Sequence, residues 1–247
     1  MKNILRSFLG GIAAVVLAVV AQAADLAPGA LSAGTIKGDV SYKLAGTTQY
    51  LPLVAGTAIP QGATIKTGAG SIAVIVFASG STASIRPDSE VEITKFEQEA
   101  FTGPLPSGSE PSVSNTQIKI VNGQVVSKVS KLKKGSEFVV SSPVGAAGVR
   151  GTTFSVIYNA ATGAFTIAVI EGGVVVRTVT GQTASVAAYE QVTASQNGNI
   201  SAITKLSNEA ARDILATIQQ LKKDIRDDLQ GPDNKTDIDT SIIVSPN

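Results

Sequence analysis

The sequence predicts an all-β fold, an irregular β-solenoid or roll of many short strands, followed by one C-terminal amphipathic α-helix. Three observations carry that expectation. Val, Ile and Thr recur in short runs, as in half-buried strands. The 24 glycines fall mostly between those runs, where chain reversals need them. Apolar residues at three- and four-residue steps appear convincingly only once, near the C-terminus. With 247 residues, 43% hydrophobic and 16% charged, the chain can bury a sizeable core and is not a disordered polymer.

Residues 1–23 read as a signal peptide. Lys2 and Arg6 supply the positive start, and Phe8 to Val20 form an apolar run too short for a membrane span. Ala21-Gln22-Ala23 is a small-x-small cleavage site, so cleavage after Ala23 and a periplasmic or secreted location are expected. No second apolar run is long enough to cross a bilayer, so no stable span is expected once the leader is cut. Its loss leaves 18 basic against 19 acidic side chains, a net charge of −1 that argues against nucleic acid as a partner. The absence of Cys suits an exported protein whose core needs no disulfide.

Residues 24–34 read as a flexible leader and 35–203 as the β domain. Ile36, Val40 and Tyr42 open it, then Leu51, Leu53 and Val54, with Gly46 and Gly56 as turn signals. Ile72 to Phe77 is nearly continuous apolar, a strand buried on both faces. Ser79-Gly80-Ser81 and Pro87-Asp88 turn the chain on either side of Thr82 to Ile85. Residues 97–116, with Gly103, Pro104, Pro106, Gly108 and Pro111, read as a surface loop. Strands resume from Ile118 through Val129, and again from Phe165 to Ile203.

Pro143 to Val156 organises the second half. Gly145, Gly148 and Gly151 lie three residues apart between Phe138-Val139-Val140 and Phe154, which predicts a tight reversal between buried strands. Arg150 is the only charged residue between Glu137 and Glu171, so it reads as a buried or half-buried tie to carbonyls or a carboxylate. Elsewhere an apolar-x-Gly-x-Val pattern occurs at Ile36–Val40, Val121–Val125 and Ile170–Val174, and predicts bends that carry a strand around a corner.

Residues 207–230 read as the helix, capped by Ser207 or Asn208 and stopped by Gly231-Pro232. Ala211, Ile214, Ile218, Leu221, Ile225 and Leu229 make one stripe. That stripe docks on the β domain or offers a seam to a second copy, making a homo-oligomer. Residues 231–247 form a polar tail whose Asp233, Asp237 and Asp239 are a solvated acidic run rather than a calcium loop.

Catalytic candidates are few. The chain has no His and no Cys, which removes Ser-His-Asp triads, Cys nucleophiles and His-ligated metals. Ser130-Lys131-Leu132-Lys133 imitates S-x-x-K and Lys66-Thr67-Gly68 imitates K-T-G, but in the reverse order and with no S-D-N between them. Glu90 and Glu92 alternate along a strand and face solvent, and Glu171 is a turn residue. The expectation is a non-enzyme without cofactor or metal. Lys128, Lys131, Lys133 and Lys134 form a basic cluster, the candidate contact for an anionic glycan, although no aromatic residues interleave with it.

Two separated runs, in order, give the chain a family resemblance. The first is Ile65-Lys66-Thr67-Gly68 through Ser71 to Ala78-Ser79-Gly80-Ser81, then Ile85-Arg86-Pro87-Asp88-Ser89. The second is Val149-Arg150-Gly151-Thr152-Thr153-Phe154, then Val169-Ile170-Glu171-Gly172 and Val174. Over about Thr35 to Ile203 the chain resembles the FecR domain, the extracytoplasmic domain of bacterial cell-surface signalling regulators. The resemblance implies an all-β, solenoid-like, non-catalytic domain that contacts an envelope protein or polymer. The family's cytoplasmic anti-sigma segment and companion signalling subdomain have no counterpart here, so sigma-factor control does not carry over.

Overall fold

A computed structural model describes residues 26–229, with backbone alone for 225–229. The signal-peptide reading of 1–23 and the tail reading of 231–247 lie outside the described residues. Strand alternation and glycine placement divide the chain into β1 (Ala27–Pro28), β2 (Leu31–Lys37), β3 (Val40–Lys43), β4 (Leu51–Pro52), β5 (Thr64–Thr67), β6 (Ile72–Phe77), β7 (Thr82–Ile85) and β8 (Glu90–Gln98). The long β9 (Ser114–Lys128) follows, then β10 (Glu137–Ser142), β11 (Gly145–Val149), β12 (Thr153–Asn159) and β13 (Ala164–Glu171). β14 (Gly173–Thr178), β15 (Thr183–Ala187), β16 (Glu190–Ala194), β17 (Thr204–Lys205) and α1 (Asn208–Leu229) complete it.

The strands form two open layers joined through β9. One layer runs β4-β3-β5-β8-β9-β10-β11-β14-β15, with β1 beside β5 on β8. The other runs β2-β6-β7-β9-β12-β13-β16-β17. Pairing is antiparallel except between β9 and β10. Hairpins and layer-to-layer passages connect the strands, and neither layer closes into a barrel.

The core lies between the layers. Phe77 of β6 meets Phe96 of β8 edge-on at 5.1 Å and Phe138 of β10 at 6.1 Å, and Phe138 meets Phe154 of β12 at 6.5 Å. All four rings are buried, and such edge-to-face contacts add about 0.5–1.5 kcal/mol each beyond area burial.

Two boundaries differ from the sequence reading. The flexible leader expected over 24–34 already contains β1 and the start of β2, with Leu31 and Ala33 buried against the core. The backbone of Gly56, Thr57 and Ile59 bonds along its outer edge, which fixes the strand. The surface loop expected over 97–116 shortens to 99–113, because β8 runs on to Gln98 and β9 begins at Ser114. That loop is pinned by a buried acidic side chain, since Glu110 is 1% exposed. Its carboxylate accepts from Ser114 Oγ at 2.8 Å and from Ser136 Oγ and the Lys133 N–H.

The helix lies on the outer face of the second layer. Ser207 Oγ accepts from the Ala210 N–H at 3.2 Å as N-cap. Ala211, Ile214, Ile218 and Leu221 pack on Val74, Val126, Ala168 and Ile170. The stripe through Leu221 is thus docked on the β domain, the first of the two readings, and over that length it is not a seam for a second copy. Lys37 pairs with Asp224 at 3.1 Å at the far end.

Candidate functional site

Asp88, Ser89, Gly151, Thr152 and Gly172, among the residues that carried the resemblance, sit at corners where the chain changes layer, whereas Ala78 to Ser81 turns β6 into β7 within one layer. At seven passages the corner residue has a positive φ: Gly38, Gly70, Asp88, Gly123, Gly151, Gly172 and Tyr189. All three apolar-x-Gly-x-Val glycines are among them. Gly38 leads from β2 to β3, Gly123 bends β9 between layers, and Gly172 leads from β13 to β14.

Each of those three glycines faces a hydroxyl from another corner. Ser71, Ser89 and Thr152 directly follow the positive-φ residues Gly70, Asp88 and Gly151. Ser71 Oγ accepts from the Asp39 N–H at 2.9 Å and donates to the Ala69 carbonyl at 3.2 Å. Ser89 Oγ accepts from the Gln124 N–H at 2.9 Å and donates to the Pro87 carbonyl at 3.2 Å. Thr152 Oγ1 lies 3.1 Å from the carbonyls of both Arg150 and Gly173. A Cβ on Gly38 or Gly123 would land on the facing serine oxygen, and one on Gly172 would stand 2.8 Å from the Gly151 carbonyl. A side chain is excluded there by conformation and by space. Sequence reasoning named both the glycines and Ser71, Ser89 and Thr152 as motif residues but did not see that they face one another; a Ser or Thr directly after a turn residue was the available signal.

The stretch around Arg150 differs from the reading in two ways. Gly145 and Gly148 lie within β11 rather than in one reversal, and only Gly151 has a positive φ. Gly145 is needed for close approach, since a Cβ would sit 2.8 Å from the Arg177 carbonyl. Val149, Thr152 and Phe154 are buried, but Arg150 is exposed. Its Nη2 donates once, at 3.3 Å, to the Ser136 carbonyl. Strand alternation buries Val149 and turns Arg150 outward at the end of β11, so the buried tie is corrected to a surface contact.

The four lysines do not form one patch. Lys128 lies half-buried, and burial, followed by the neighbouring Lys222 ammonium of α1, pushes its pKa below the ordinary lysine value. Lys131, Lys133 and Lys134 are exposed beside loop 99–113, where Lys133 Nζ donates to the Pro111 carbonyl. An open cleft of about 520 Å³ lies there between Pro104, Pro106, Glu110 and Lys131 to Lys133. Glu110 is already committed to the loop's own hydrogen bonds.

The serine-acylation fragments are not arranged for that chemistry. Ser130 lies outside any helix, with its N–H on Ser81 Oγ. Lys66 and Lys43 reach the Tyr50 ring at 5.9 and 5.1 Å, and the Tyr50 hydroxyl donates to Glu90 at 3.1 Å. Burial is the main cause that raises the Tyr50 pKa. Thr67 Oγ1 donates to the Arg86 carbonyl at 2.6 Å, inside a corner. Among the described residues no cluster of three His, Cys, Asp or Glu could hold a metal ion, and no helix is long and apolar enough to cross a membrane.

Residues 63–175 match the family described as FecR protein. The matched span, just under half of the chain, runs from just before β5 into β14. No curated protein matches the chain. Two crystal structures of a candidate anti-sigma factor from Parabacteroides distasonis are similar at 17% identity and a TM-score of 0.48. Each similarity covers 63% of this chain and 64% of the other, so the chain spans less than two thirds of the protein it resembles.

Proposed function

We propose that this chain is a non-catalytic, exported recognition module of envelope signalling that binds an envelope protein through its outer faces. The observation that supports this best is the use made of the FecR motifs. The hydroxyls of Thr67, Ser71, Ser89 and Thr152 are committed to building corners rather than turned together towards a substrate. Without His or Cys, acid–base and nucleophilic work would fall to carboxylates, Lys, Ser or Tyr. The most buried carboxylate, Glu110, is saturated by hydroxyl and amide donors. Export rests on the leader over residues 1–23. The alternative, a glycan- or peptidoglycan-binding envelope protein, loses support from the separation of Lys128 from the other three lysines.

Expression with the native leader, fractionation and intact mass test this reading. The expected product starts at Ala24 and lies outside the cytoplasm. A photo-crosslinker at exposed Val54 or Val179 should yield a discrete protein adduct in cells. An unprocessed cytoplasmic product without adducts would overturn the proposal.

A further inference from the structure

Most layer edges are guarded. The outer edge of β2 is bonded by residues 56–59. β4 and β17 are two residues long, and carry Pro52 and Lys205. β15 differs. Among the described residues it pairs only with β14, and the run from Gly181 to Tyr189 contains no charge and no proline, the usual protections of an edge strand.

The free groups of that edge follow from the register. The Thr178 N–H bonds the Gln182 carbonyl, so Val176–Ala184 and Val174–Val186 exchange the β14–β15 hydrogen bonds. Alternation leaves the N–H and C=O of Thr183 and Ser185 directed to the open side, while the Ala187 N–H is held by Glu190 Oε2 at 2.9 Å. Beyond the strand stands Tyr189, 56% exposed at φ 62°, its backbone fixed by bonds to Val169 and Leu206. An aromatic residue held in the left-handed region while largely in water is a costly arrangement.

We infer that β15 is a dimerisation edge, which pairs antiparallel with β15 of a second copy about a two-fold axis at Ser185. That register is self-complementary. Ser185 faces its own copy and exchanges both hydrogen bonds, and each Thr183 N–H reaches the Ala187 carbonyl opposite without disturbing Glu190. No like charges meet, since the run carries none. Tyr189 is carried towards the turn at Gly181 of the other copy, where the space beside the glycine is empty to 4 Å. A second copy fits better than a foreign strand because nothing charged on this edge selects one, whereas the two-fold matches every position on it. A five-residue pairing makes a small interface, so the dimer is weak and concentration-dependent.

The absence of Cys from the chain makes the test clean. Paired Cα atoms about 5.5 Å apart lie within disulfide reach. Ser185→Cys, expressed with the native leader and purified as the host processes it, should oxidise to a covalent dimer. Thr183→Cys, on the same edge but off the axis, should stay monomeric on the same gel. Sedimentation of the unmodified protein should show a monomer–dimer equilibrium unchanged between low and high salt. Ser185→Pro, which removes an N–H that β14 does not use, should abolish it with the fold intact by circular dichroism. A monomer at all concentrations, or equal crosslinking through both cysteines, would overturn the assignment. Either result would leave the proposed envelope role untouched.

Discussion

At the scale of single residues, position outweighs character. Arg150 has apolar neighbours on both sides in the sequence, which suggests burial, yet it ends a strand and faces water with one 3.3 Å contact. Arg150→Ala should therefore change unfolding free energy by less than about 0.5 kcal/mol in urea titration. Thr152 looks ordinary but is 1% exposed and ties two corners. Thr152→Val, which keeps the shape and loses the hydroxyl, should cost about 1–2 kcal/mol in the same measurement. The glycine corners were legible because a glycine weakens a strand unless the backbone there must bend or adopt a positive φ. Arg150 was not, because a turn of one residue decides whether a side chain points in or out.

At the scale of elements, the helix and the proline-rich loop show where composition informs and where it misleads. Helical periodicity gave the start of α1 and its buried stripe through Leu221, because one apolar face follows from spacing alone. The surface that accepts it, Val74, Val126, Ala168 and Ile170, was hidden in strands whose apolar runs look buried on both faces whether or not a helix covers them. Composition marks 97–116 as a solvated loop and could not reveal that Glu110 anchors it. Glu110→Ala would strand the Ser114 and Ser136 hydroxyls, at roughly 2–4 kcal/mol, and should expose 99–113 to rapid limited proteolysis. Docking of α1 should also depend on pH. Folding holds the Lys128 pKa below its unfolded value, so the penalty is full at lower pH and relaxes as pH rises towards the ordinary lysine value of 10.5. Stability should rise as pH climbs towards that value. Lys222→Gln should diminish the rise in thermal melts, and an unchanged profile would contradict the pairing of these two ammonium groups.

For the whole molecule, the described chain is a pair of open layers stitched together by repeated corners, and several motif residues are among the stitches. Gly38, Gly123 and Gly172 each face a hydroxyl that follows another corner's left-handed residue, so the corners brace one another in pairs. This explains why the motif glycines and the hydroxyls that face them recur in pairs along the chain. Equilibrium unfolding of Gly123→Ala beside Gly46→Ala tests that account most directly. Both glycines have positive φ, but Gly46 has nothing within 4 Å whereas a Cβ on Gly123 would displace Ser89. Gly46→Ala should cost only about 1 kcal/mol of backbone strain. Gly123→Ala should cost at least ~3 kcal/mol, because the corner and its hydrogen bond are lost together. Equal losses at the two positions would contradict the corner-bracing account.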